Sequence, residues 1–75
     1  MEIKDRTNDR ALRMSSVCQK TGMGPSWVYD EIASGRFPPG FKITKKSRAW
    51  WESDVTENLL ARERGEINYD DEAAA

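Results

Sequence analysis

The chain has 75 residues, which is enough for one domain with a small core. It contains no histidine and one cysteine, and this composition argues against a zinc site, His-based catalysis and an internal disulfide. No apolar run approaches the about 20 residues of a membrane span. We therefore predict a cytoplasmic protein with no membrane contact, no cofactor, no metal and no enzymatic activity.

The net charge of −1 conceals an uneven distribution of charge along the chain. Residues 15–48 contain six Lys and Arg side chains and two acidic ones, whereas residues 66–75 contain four acidic side chains and no basic one. A basic centre followed by an acidic tail is compatible with a nucleic-acid partner, even though the total charge is negative.

The first 11 residues are mostly polar or charged, with Ile3 among the charges, and we predict that they form a flexible arm. The folded domain is predicted to span residues 12–64, with a first helix that starts at Ser15 or Ser16. Ser16 and Gln19 have the spacing of a capping box, in which each side chain bonds the other residue's backbone N–H. Gly22 is predicted to end this helix.

A second helix is predicted to start at Pro25, because proline is well suited to the first helical position. Val28 and Ile32 are four residues apart and lie on one face, and Gly35 is predicted to end the helix. Two short helices joined by the glycine-containing turn at residues 21–24 indicate a helix-turn-helix.

The spacing of the apolar residues changes after the second helix and indicates a β-hairpin. Residues 41–44 alternate apolar and polar side chains, residues 45–47 are a polar turn, and residues 48–50 are a plausible returning strand. A hairpin with a basic tip that follows a helix-turn-helix is a wing. The predicted fold is therefore mainly α with a small β-hairpin, a winged helix-turn-helix of three helices plus the wing.

The third helix is predicted over residues 51–64, because Trp51, Val55 and Leu59 recur every four residues. Its apolar stripe is expected to close over a core formed by Val17, Val28, Ile32, Phe41 and Ile43. Residues 65–75 are predicted to be a disordered acidic tail.

The second helix of a helix-turn-helix lies in the major groove, where its N-terminal residues face base edges. Ser26, Trp27 and Asp30 are the candidate base contacts, and Asp30 would accept a hydrogen bond from cytosine N4. Trp27 has an alternative role as a core or partner-facing aromatic. Tyr29 is expected to donate its hydroxyl to a phosphate, or else to pack against the wing.

The wing carries the strongest electrostatic signal, in Lys45, Lys46 and Arg48. These side chains are expected to contact the minor groove or the flanking phosphates, with a solvated basic turn as the alternative. Arg36 follows the second helix, where it would either bind a phosphate or cap the last carbonyls of that helix.

A set of short segments spread over residues 12–62 carries a resemblance to a known family. They are Arg13-Met14, Ser16-Val17, Thr21-Gly22-Met23, Val28-Tyr29, Ile32, Gly35-Arg36-Phe37-Pro38, Trp50 and Ser53-Asp54-Val55. Together they resemble the AlpA family of small phage and prophage regulators, which are related to the excisionases with a MerR-like winged helix.

The resemblance implies a cytoplasmic protein of a bacterium or phage that binds double-stranded DNA near integrase genes or attachment sites. It implies sequence-specific binding that regulates transcription of the integrase, sets the direction of recombination during excision, or does both. No cofactor is implied. Integrase, and further copies of the chain bound to the same DNA, are the expected protein partners.

Two other functions are compatible with the sequence. A winged-helix module that docks on a regulator or recombinase and inhibits it would use Trp27 and the acidic pair Asp30 and Glu31. A DNA-packaging subunit of the small-terminase type would carry a similar winged helix, and it would usually continue into an oligomerisation segment.

Overall fold

The computed structural model describes residues 8–68 of the chain. Within this range it contains three helices and a small antiparallel sheet, which confirms the predicted mainly α winged-helix architecture. The elements in chain order are β1 (Ala11–Leu12), α1 (Met14–Thr21), α2 (Pro25–Ala33), β2 (Phe41–Lys42), β3 (Arg48–Trp51) and α3 (Glu52–Glu63).

Strand β3 is the centre of the sheet, whose order is β1-β3-β2. The wing is the antiparallel pair β2 and β3, in which Phe41 is opposite Ala49 and Lys42 is opposite Arg48. The third strand was not expected: β1 pairs with the other edge of β3, and Leu12 lies opposite Trp50. The sheet therefore joins the segment before the helix-turn-helix to the segment after it.

Residues 8–11 belong to the segment that the sequence assigns to the arm, and they contact the start of α3. The Asp9 carboxylate accepts hydrogen bonds from the Ser53 backbone N–H (3.1 Å) and hydroxyl (2.6 Å). The Glu52 N–H donates to the Arg10 carbonyl oxygen at 2.8 Å. These bonds satisfy N–H groups in the first turn of α3, which otherwise lack a helical partner. Residues 1–7 of the predicted arm and residues 69–75 of the predicted tail lie outside the described range.

The first helix begins earlier than its capping signal indicates. Its N-cap is Arg13, which makes no side-chain capping bond, and the helix starts at Met14. The capping-box prediction for Ser16 and Gln19 is wrong because the pairing of β1 with β3 directs the chain into the helix before it reaches Ser16. The predicted end at Gly22 is confirmed, with a left-handed φ of 78°.

The core is centred on Trp50, which is 1% exposed and whose indole N–H donates to the Pro38 carbonyl oxygen at 2.8 Å. Val17, Val28 and Val55 pack around it as predicted. Ile43, predicted to be in the core, is instead 51% exposed. The prediction fails because β2 ends at Lys42, so Ile43 lies beyond the strand pairing and has no buried position opposite it.

Gly40 lies where the chain passes closest to the central strand. Its φ is 76°, and a Cβ built on it would lie 2.5 Å from the Ala49 carbonyl oxygen and 2.9 Å from Cε2 of Trp50. The Pro38-Pro39 segment leads into this position and holds it against β3 through the indole of Trp50. Only glycine satisfies both the backbone conformation and the contact.

We predict that Gly40→Ala destabilises the domain by about 3 kcal/mol, the sum of left-handed backbone strain and overpacking. Gly35→Ala is the matched control, because Gly35 has a φ of 77° but no atom within 4 Å of a built Cβ. That variant should lose about 1 kcal/mol from backbone strain alone. Urea unfolding of both variants measures the difference, and equal losses would contradict a role for the close contact.

Candidate nucleic-acid interface

Helix α2 presents a polar face to solvent. Ser26, Tyr29 and Asp30 are all exposed, Tyr29 at 55%. Their spacing of three and four residues places them on one side of the helix. Because α2 contains no Lys or Arg, this face offers hydrogen-bonding groups and a negative charge but no cation for a phosphate.

Trp27 packs between α2 and its neighbours rather than on this face. Its ring meets Phe37 edge to face at a centroid distance of 6.0 Å, and the guanidinium of Arg62 lies 4.9 Å from the ring centroid. Of the two roles considered for Trp27, the structure favours packing, and the exposed face of α2 is formed without it.

Glu31 is only 7% exposed, and it is held by two arginines. Arg36 donates from Nε and Nη2 to the two carboxylate oxygens, both at 3.0 Å, and Nη2 of Arg62 donates to Oε1 at 3.0 Å. The hydrogen bonds from Arg36 lower the pKa of the Glu31 carboxyl; burial opposes this shift and Arg62 adds to it. The carboxylate therefore stays charged and fixes α2 to α3.

This arrangement gives Arg36 and Glu31 roles that differ from those considered in the sequence. Arg36 binds Glu31, and its own carbonyl oxygen accepts a hydrogen bond from Nη2 of Arg62 at 2.7 Å. Glu31 is not an exposed partner of Asp30, so the acidic pair considered for protein docking is reduced to Asp30. The burial of Glu31 had a sequence signal, because it follows Val28 by three residues and shares its helix face.

Five cationic side chains lie on the wing or directly beside it. We call this set the basic ridge: Arg13, Lys42, Lys45, Lys46 and Arg48. Lys42 and Arg48 are direct neighbours across the wing. Lys45 and Lys46 are exposed at its tip. Residues 37–51 contain no Asp or Glu, so the wing itself carries only positive charge.

Neither Lys42 nor Arg13 was among the site residues predicted from the sequence, and Arg13 comes from outside the wing. Its Nη2 donates to the hydroxyl of Ser47 at 3.0 Å, across 34 residues of chain. The contact exists because Leu12 pairs with Trp50, which brings the N-cap of α1 beside the first residues of β3. Arg48 is also held, since its Nη1 donates to the Pro39 carbonyl oxygen at 2.8 Å.

The tip of the wing is closed by its own hydrogen bonds. The N–H groups of Ile43 and Thr44 both donate to the Ser47 carbonyl oxygen, at 2.8 and 3.3 Å. The Lys46 N–H donates to the Thr44 hydroxyl at 3.2 Å. The lysines are therefore presented on an ordered turn rather than on an open loop.

Over residues 8–68, the structure brings together no cluster of three or more His, Cys, Asp or Glu side chains that would hold a metal ion. None of the helices in this range has the length and apolar character needed to cross a membrane.

We predict that Glu31→Gln destabilises the domain by about 2–3 kcal/mol, because it leaves two largely buried guanidinium groups without their anion. Glu57→Gln breaks an exposed ion pair with Arg64 and should destabilise the domain much less, because solvent screens that pair. Thermal unfolding at neutral pH compares the two variants.

The same substitution has a pH signature. Since folding lowers the pKa of Glu31, its contribution to stability is present above the unfolded pKa of about 4.3 and is lost as the pH falls through the folded pKa. Below about pH 4.3 the stability of Glu31→Gln should therefore decline less than that of the natural chain. Parallel declines would contradict the assignment of this ion pair.

Comparison with known proteins agrees with the resemblance seen in the sequence. Residues 10–62 match the family model described as Prophage CP4-57 regulatory protein (AlpA). The uncharacterized protein ORF88 of Enterobacteria phage P4 is 35% identical over 65 residues, which are 87% of this chain and 74% of that protein. No solved structure matches. The matched family is one of regulatory DNA-binding proteins of phage type, and the match extends from the start of the sheet into α3.

Proposed function

We propose, since this chain belongs to the AlpA family of prophage regulatory proteins, that it binds specific double-stranded DNA sites of a phage or mobile element. The exposed face of α2 would lie in the major groove, and the basic ridge would contact phosphates at the flank. Binding at a promoter or attachment region would regulate transcription of the integrase, set the direction of excision, or do both.

The basic ridge is the observation that carries this proposal. Its five cations come from the N-cap of α1 and from both strands and the tip of the wing, and the fold gathers them at one end of the sheet. Positive charge concentrated on one surface, on a chain of net charge −1, supplies the attraction to phosphates that α2 lacks.

The two surfaces have separate tasks in this proposal. Asp30 accepts a hydrogen bond from an exocyclic amino group such as cytosine N4, and the Ser26 hydroxyl donates to or accepts from a base edge. Tyr29 donates its hydroxyl to a phosphate at the edge of the groove. Sequence discrimination thus comes from α2, whereas most of the salt-dependent affinity comes from the basic ridge.

A domain of this size has a limited interface with DNA. Single modules bury about 600–1,000 Å² of surface, so affinity for one isolated site is expected to be modest. Adjacent sites occupied by several copies, or contact with the integrase on the same DNA, would raise the occupancy.

We predict that Lys45→Ala/Lys46→Ala weakens binding to all duplexes and reduces the slope of log K against log salt by about 0.9 for each phosphate that the variant no longer neutralises. Arg64→Ala is the control, because Arg64 lies beyond α3 and is paired with Glu57 and Glu66. Fluorescence anisotropy at several salt concentrations gives the slopes. Equal slopes for the natural chain and the double variant would exclude the wing from the interface.

Asp30→Ala should act differently, because it removes a base contact and not a phosphate contact. We expect a loss of about 1–3 kcal/mol of discrimination at one base pair, with the salt slope unchanged. Tyr29→Phe, on the same helix face, should weaken binding to all sequences equally. Selection of bound duplexes from a random pool measures both effects, and an unchanged preference in Asp30→Ala would exclude Asp30 as a base contact.

A further inference from the structure

Ile43 is the one large apolar side chain at the tip of the wing, and it is 51% exposed. It lies one residue beyond the end of β2, where the pairing with β3 has stopped. The half-buried aromatic side chains of the hairpin, Phe41 and Trp51, pack on each other with a centroid distance of 5.2 Å. An isoleucine at this exposed position therefore adds little to the stability of the domain.

The backbone around Ile43 is fixed although its side chain is free of the core. Its N–H is bonded to the Ser47 carbonyl oxygen, and Ser47 is held from the other side by Arg13. An isoleucine is also stiff at χ1 because it is branched at Cβ. The side chain is consequently presented in an ordered orientation, which lowers the entropy lost when it meets a partner.

The surroundings of Ile43 indicate what that partner is. Lys42 precedes it, Lys45 and Lys46 follow within three residues, and residues 37–51 include no acidic side chain. A single apolar group surrounded by cations fits a polyanion that has an apolar interior. Duplex DNA is such a partner, because its grooves expose sugar and base surfaces between two rows of phosphates.

The dimensions favour the minor groove over the major groove. The major groove, about 12 Å wide, admits a helix such as α2, whereas the minor groove, about 6 Å wide, admits individual side chains. Aliphatic side chains that enter the minor groove act as wedges, contacting sugars and partly unstacking a base step.

We propose that Ile43 is an apolar wedge that enters the minor groove beside the site bound by α2, while Lys45 and Lys46 hold the two flanking phosphate rows. This inference rests on the proposed DNA binding and adds to it the apolar residue that would contact the flanking base step. Because pyrimidine–purine steps are the easiest to unstack, the flank under the wing should prefer TA or CA/TG steps.

The test uses the full chain and duplexes selected by it from a random pool. Ile43→Ala should bind the selected duplex about tenfold more weakly, since most of the apolar surface that meets the groove is removed. It should also lose the preference for a pyrimidine–purine step at the flank. Its preference at the base pairs that α2 contacts should be unchanged. Ile43→Leu, which retains the apolar volume, should bind within about twofold of the natural chain.

Leu60→Ala is the matched control, because Leu60 is also a large aliphatic side chain exposed at 41%, but lies on α3. It should bind as the natural chain does. Since Ile43 contributes little to the core, the melting temperature of Ile43→Ala should be unchanged, so that weak binding cannot be assigned to unfolding.

The outcomes separate this inference from the proposed function. If the natural chain retards no duplex at low salt, the proposed DNA binding itself fails. If the natural chain selects a site and Ile43→Ala selects the same site and flank with equal affinity, the wedge is wrong and the DNA binding stands. A docking role for Ile43 on a protein would give that second result.

Discussion

The burial of Trp50 in the central strand organises most of this small domain. Its backbone pairs with Leu12 on one side of the sheet, and its indole N–H bonds the Pro38 carbonyl oxygen of the segment that leads into the wing. The ring also fills the space against which Gly40 passes. Trp50 therefore ties two segments, β1 and residues 38–40, to the central strand of a domain whose core contains few large residues.

The position of positive charge follows from this arrangement. Because Leu12 is drawn onto β3, the N-cap of α1 lies beside the wing, and Arg13 joins four cations that the hairpin already carries. Helix α2, in contrast, contains no Lys or Arg. In the proposed function the electrostatic and the sequence-reading tasks would therefore belong to different elements.

Helices α2 and α3 share the apolar core, and a polar contact also joins them. Glu31 holds Arg36 and Arg62, and Arg62 in turn lies over the ring of Trp27. A buried ion pair offers little net stability over an apolar contact, but its geometry is directional. We infer that it sets the angle at which α2 is presented, which apolar packing in so small a core would leave less defined.

The sequence alone determined the features that depend on local backbone chemistry: the start of α2 at Pro25, the end of α1 at Gly22, the hairpin and its basic tip. Proline and glycine act through their own φ angles, and the alternation of residues 41–44 indicates an extended chain directly. Only the tertiary structure decided the pairing of β1, the two arginine partners of Glu31 and the exposure of Ile43. Each of these depends on which residues from distant parts of the chain lie opposite one another, and no local pattern specifies that choice.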